Sequence, residues 1–167
     1  MKKIIIALFV VIFIGLIIFI STFYMSNDAE THGSHIPNNI GAFQLTNKIE
    51  GDEAKEIMNE IHGQKVDLDQ AYALEYQTVG GSYALVWISE TNDEEIPIRL
   101  LESMQRIVNN SQSYSEQQEK EFNNIIVNYA FRKGLDHYYF VIDNRFIWVS
   151  TFEDKKSYFI KNAVKNF

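Results

Sequence analysis

The rhythm of apolar and polar residues changes several times along the chain, and each change marks an element. Residues 4–20, IIIALFVVIFIGLIIFI, have no polar rhythm at all, and residues 26–41, SNDAETHGSHIPNNIG, have no apolar one. From Phe43 a period of two begins: FQLTNKI, residues 43–49, reads as a half-buried strand. GDEAKEIMNEIHG, residues 51–63, then switches to helical spacing, with Ala54, Ile57, Met58 and Ile61 on one stripe. Asp52 is expected as its N-cap and Gly63 as its stop.

Two apolar runs, AYALEYQT and SYALVWIS, flank Val79-Gly80-Gly81 and predict a hairpin. The following NDEEIPIRLLESMQRIVNN is helical, with Leu100, Leu101, Met104, Ile107 and Val108 on its buried side and Pro97 tolerated near the first turn. Residues 109–121 show no periodicity and read as an exposed connection. NIIVNYAF, residues 124–131, is a strand, and HYYFVID and RFIWVST form a second hairpin about Asp143-Asn144. The last helix is expected to be capped by Asp154, with Phe159, Ala163, Val164 and Phe167 along one side.

These elements predict an α+β domain over residues 42–167: a mostly antiparallel sheet of about six strands with three helices packed on it. Trp87 and Trp148 sit in matching settings, each on the second strand of a hairpin that runs into a helix. A ββα unit thus recurs around residues 71–108 and 137–166. Both tryptophan strands are apolar on both faces, as strands at the middle of a sheet are.

Lys2 and Lys3 precede the opening apolar run, and the 22 residues from Ile4 to Met25 would span about 33 Å as a helix, enough to cross a bilayer. The run is long for a signal peptide, no small-x-small site closes it, and Phe23 and Tyr24 stand where interfacial aromatics would. Residues 1–25 are expected as a single-pass transmembrane anchor with the N-terminus cytoplasmic. Residues 26–41 would be a polar tether and the domain extracytoplasmic. Secretion after cleavage is the alternative.

The net charge of −7 becomes −9 beyond residue 25, because two of the 15 Lys and Arg and none of the 22 Asp and Glu lie before it. Such a domain repels nucleic acid. The chain has no cysteine, which removes thiol chemistry. No phosphate-cradling glycine loop, H-E-x-x-H or calcium loop occurs, and no metal or cofactor is expected. Ser89 and Ser150 lie outside any G-x-S-x-G elbow.

The candidate binding residues are aromatic. Register about residues 143–144 sets Tyr139 opposite Trp148 on one face, and Tyr72 and Tyr76 share a face of another strand. With Trp87 these five rings could stack a sugar, a lipid tail or a partner's side chain, or simply fill the core. His62, at a helix end, and His137, beside Asp136, are the candidate polar site, provided that the fold brings them together.

GDEAKEIMNEIHGQ, with YALVWIS and FIWVS, resembles short, mostly uncharacterised membrane-anchored or exported proteins of prokaryotes, archaea included. They carry a Gly-x-x-Ala helix ending in His-Gly and then a tryptophan-containing strand. The resemblance covers roughly residues 40–167 and implies location and domain type, with no activity attached. The expectation is a membrane-tethered domain binding a partner protein or ligand without catalysis, through its aromatic clusters and the 109–121 segment. An enzyme using His62, His137 and nearby acids, and an accessory subunit of a membrane complex, are the alternatives.

Overall fold

The computed structural model describes residues 36–62, 65–152 and 157–167. The anchor, the tether as far as residue 35, Gly63 and Asp154 lie outside the described residues. No helix among those described is long and apolar enough to cross a membrane.

Eight strands, rather than six, form one antiparallel sheet. They are β1 (Asn39–Ile40), β2 (Phe43–Glu50), β3 (Gln70–Gln77), β4 (Tyr83–Glu90), β5 (Ser115–Phe122), β6 (Ile125–Arg132), β7 (Leu135–Ile142) and β8 (Arg145–Phe152). The helices are α1 (Asp52–His62), α2 (Glu95–Asn110) and α3 (Tyr158–Asn166). The spatial order is β1-β2-β3-β4-β8-β7-β6-β5, two meanders joined along their inner strands.

The two additional strands are the edges. β1 is built from what reads as the end of the tether: Ile36 packs on the core, Pro37 accepts a 2.8 Å hydrogen bond from the Tyr76 hydroxyl, and Ile40 is fully buried. Gly41 turns the chain into β2 at φ 59°, a backbone that favours glycine, and a Cβ there would lie 2.8 Å from the hydroxyl of half-exposed Tyr158, which would have to shift. β5 falls in the stretch expected to be an exposed connection. Six of its eight residues are exposed, so alternation has nothing to mark; the strand exists through its backbone pairing with β6.

Turn chemistry fixes the second meander. Asn123-Asn124 and Lys133-Gly134 all take positive φ, the two-residue geometry matched to strand twist, and Asp143 has φ 52° in the β7–β8 turn. At α1 the cap moves by one residue: the Lys55 amide bonds to the Gly51 carbonyl at 3.0 Å, so Asp52 lies in the first turn. The stripes of α1 and α2 bury Ala54 and Met58, and Pro97, Leu100, Met104 and Val108, whereas Ile61 and Ile107 are about half exposed.

The strands' two faces differ. One carries Tyr72, Leu74 and Tyr76, Ala84, Val86 and Ile88, Ile147 and Val149, Tyr138 and Phe140, closed by Phe159, Ile160, Ala163 and Val164 of α3. Phe159 packs edge-on against Phe43 at 4.9 Å and tilted against Tyr76 at 6.0 Å. At the rim of this face the cross-strand pair Glu90–Arg145 approaches to 3.2 Å, and Arg145 also donates to the carbonyl of Phe167. The other face carries α1 over β2, β3 and β4, and α2 over β7 and β8.

Strand–strand–helix order occurs twice, as β3-β4-α2 and β7-β8-α3, and the second strands of the two units lie side by side. β4 and β8 are the sheet's two central strands, and Trp87 stands directly opposite Trp148. The likeness stops at the helices, because α2 packs on one face and α3 on the other.

Candidate functional site

Strand register decides which candidate residues meet. Tyr139 pairs with Trp148 and Val141 with Phe146 across β7–β8, as spacing about the turn requires. Alternation places Trp87, Trp148, Tyr139 and His137 on the α1/α2 face. Tyr72 and Tyr76 also share a face, but it is the opposite one, where they are 4% and 0% exposed and belong to the core. The five aromatic candidates therefore divide into a pair inside the core and a trio beneath the helices.

His137 joins the trio. Its ring lies 5.3 Å from Trp148, which stacks at 5.3 Å and 15° on Tyr139, while Tyr114 meets His137 edge-on at 5.7 Å. Four rings thus run in a row, Tyr114–His137–Trp148–Tyr139. Tyr114 is set in place by Arg132, whose guanidinium lies 5.0 Å from the ring and donates to its hydroxyl at 3.2 Å.

Ser150 sits between two of these rings. Indole nitrogen can only donate, so the Trp148 Nε1–H lands on Ser150 Oγ at 3.0 Å. The serine hydroxyl is then free to donate to Nδ1 of neutral His137, 2.8 Å away. Burial first, and then the nearby Arg132 charge, lower the His137 pKa to about 4, with Asp136 offsetting part of the shift. Above that pH the ring is an uncharged acceptor. A neutral histidine against a serine could serve as a general base, but Ser150 is 4% and His137 8% exposed, so no substrate carbonyl reaches the oxygen without repacking.

His62 ends α1, which packs over β2, β3 and β4, whereas His137 is on β7. With β8 between β4 and β7, roughly 10 Å of sheet separates those two strands. The fold thus carries the two histidines on well-separated elements, and the side chain of His62 lies outside the described part. Among the described residues no three His, Cys, Asp or Glu side chains group closely enough to hold a metal ion.

Beside the aromatic row, α2 and the β5 edge enclose a cleft of about 280 Å³, lined by Gln105, Asn109, Gln117, Gln118, Glu119, Asn128, Tyr129 and Tyr139. Its floor is made by buried Asn128 and Tyr139; burial, with Tyr114 and Glu119 nearby, raises the Tyr139 pKa to about 12, so its hydroxyl stays protonated. Gln105 donates to Asn128 at 3.0 Å, Asn128 to the Tyr139 carbonyl at 3.3 Å, and Gln117 to the Val108 carbonyl at 3.1 Å. A register shift in β5 between Ser115 and Gln118, with Glu116 at φ 54°, accompanies the reach of Gln117 toward α2.

Of these lining residues only Tyr139 stands out in the sequence as a candidate. The nearest signal for the rest is the density of amides in residues 109–121 and beside them. Neither those residues nor Gln105 and Asn128 carry a spacing that announces convergence, because four separate elements supply them. No family model, no curated protein and no solved structure matches the chain.

Proposed function

We propose that the domain is a non-enzymatic binding module, held at a membrane by its amino-terminal segment on the extracytoplasmic side, whose binding seat is the α1/α2 face of the sheet. The observation that supports this is that the face is incompletely closed. Tyr83, Leu85, Trp87 and Trp148, on the two central strands, are only partly buried, and Phe152 is 48% exposed beside Tyr83. Ile61, at the end of the α1 stripe, and Ile107, beside the buried Val108 of α2, are both about half exposed. Half-covered apolar residues at the centre of a sheet mark a surface that a partner completes. Catalysis draws less support, since the Ser150–His137 pair found on this face among the described residues is buried.

The test is photo-crosslinking of the full-length chain in its native membrane. A photoreactive residue at Phe152 or Ile61 is expected to give a discrete adduct, and one at Lys165, on α3, none. Equal labelling from all three positions, or no adduct at Phe152 and Ile61, defeats the proposal. Protease added to intact cells should degrade the domain; full protection removes the extracytoplasmic placement.

A further inference from the structure

We infer that the cleft between α2 and β5 is a saccharide site, taking one or two sugar rings of a neutral glycan. This rests on the binding-module reading and gives its ligand a chemical class. Five of the eight lining side chains are carboxamides, Gln105, Asn109, Gln117, Gln118 and Asn128. A carboxamide carries an acceptor and two donors side by side, which matches vicinal hydroxyls, each of which both donates and accepts. Apolar ligands would strand these groups without partners, at a cost for each one buried.

The amides are also prepared for such a ligand. Gln105, Asn128 and Gln117 each spend a donor inside the protein, which fixes their orientation and leaves the oxygens of Gln105 and Gln117 available as acceptors. The side chains of Asn109, on α2, and Gln118, on β5, make no hydrogen bond among the described residues and keep their capacity. Holding a polar group in its bound orientation beforehand lowers the entropy cost of binding.

Charge narrows the class further. Glu119 is the one lining residue charged at neutral pH, since the Tyr129 and Tyr139 hydroxyls are both pushed upward by burial. A carboxylate with no cation on the lining accepts from sugar hydroxyls and repels phosphates, carboxylates and sulfates. A cleft of about 280 Å³ is near the lower end for small-molecule pockets (roughly 300–1,000 Å³), the scale of one or two rings rather than a long chain. Tyr139 gives the floor an aromatic component and is stacked on Trp148, so occupancy of the cleft can be read in tryptophan emission.

The experiment titrates the full-length chain, in a detergent without a sugar headgroup, with N-acetylglucosamine, its β-1,4-linked disaccharide, galactose and maltose. Glucuronate and glucose 6-phosphate serve as anionic controls. Tryptophan emission and saturation-transfer NMR report binding. At least one neutral sugar is expected to bind saturably, with the anionic sugars at least tenfold weaker. Asn109→Ala with Gln118→Ala, both exposed positions, should weaken binding about tenfold while far-UV circular dichroism is unchanged; Glu119→Gln should narrow the gap between neutral and anionic sugars. The inference is overturned by no saturable response to any neutral sugar, by equal response to the anionic ones, or by binding that the double variant leaves intact. Crosslinking at Phe152 and Ile61 decides the broader proposal separately, since a protein adduct there without sugar binding removes only the glycan.

Discussion

The two faces of the sheet are made by the same strands, residue by residue in alternation, and have come out differently. On the α3 face, Tyr76, Phe140, Ile88, Ile147, Val149 and Phe159 are all fully or almost fully buried, and the Phe159 ring meets those of both Phe43 and Tyr76. On the α1/α2 face, helices lie toward either side, the central Trp87 and Trp148 stay partly open, and polar groups reach inside at Ser150, His137 and Asn128. The difference teaches that aromatic content alone does not identify a binding surface. Tyr72 and Tyr76 look as inviting in the sequence as Tyr139 and Trp148, yet alternation places the first pair in the core. What distinguishes the second set is the company of polar side chains: Ser150 accepts from Trp148 and Asn128 donates to the Tyr139 carbonyl, whereas the Tyr76 hydroxyl bonds to the backbone carbonyl of Pro37.

The comparison is broken most directly by truncation. Phe159→Ala should cost about 3–5 kcal/mol, as for a large buried aromatic, and Trp87→Ala less than half of that because its ring is partly solvated already. Equal costs in chemical denaturation would erase the asymmetry. Next comes pH. His137 binds its proton more weakly folded than unfolded, so the unfolded chain takes up the extra proton between pH 6.5 and about 4. The stability held by the neutral ring is fully present above pH 6.5 and is lost as pH falls through 4, a loss of about 3 kcal/mol. His137→Gln should flatten that slope; a wild-type stability unchanged between pH 7 and pH 4 would show that the ring is not held neutral.

A smaller effect lies where the edge hairpin meets α3. Gly41→Ala should destabilise by about 1–2 kcal/mol, from positive φ and from the Tyr158 hydroxyl. Adding Tyr158→Phe should recover part of the loss in melting temperature, and no recovery would assign all of it to the backbone. Smallest of all in stability is Phe152→Ser, which should stay within about 0.5 kcal/mol of wild type while weakening the adduct formed from a photoreactive residue at Ile61.

Where side chains alternate and turn residues are distinctive, the fold is legible in the sequence. Gly80-Gly81 and Asp143-Asn144 bracket strands whose register follows from counting outward, and that counting places Tyr139 opposite Trp148 without coordinates. β5 is not legible, because an edge strand with wet side chains on both sides keeps only its backbone in the sheet. β1 is not legible either: two residues are too few for a period, and Ile40 owes its burial to partners far along the chain. The site was legible in part. Trp148 and Tyr139 are conspicuous, but Ser150 becomes the link between His137 and Trp148 only through pairing of β7 with β8. The amide cleft needs α2, β5, β6 and β7 assembled at once.

The junction of β4 with β8 bears on how the chain is made. Sixty-one positions separate Trp87 from the tryptophan opposite it, a gap that a ribosome crosses in roughly 3–12 s at about 5–20 residues per second. If β3 and β4 pair as they emerge, β4 has β3 on one flank and nothing on the other for that interval, with apolar groups above and below. Any helper that attends this polypeptide during synthesis would meet its most adhesive target there, and premature release before Phe152 emerges would leave a half-sheet with its raw side outward.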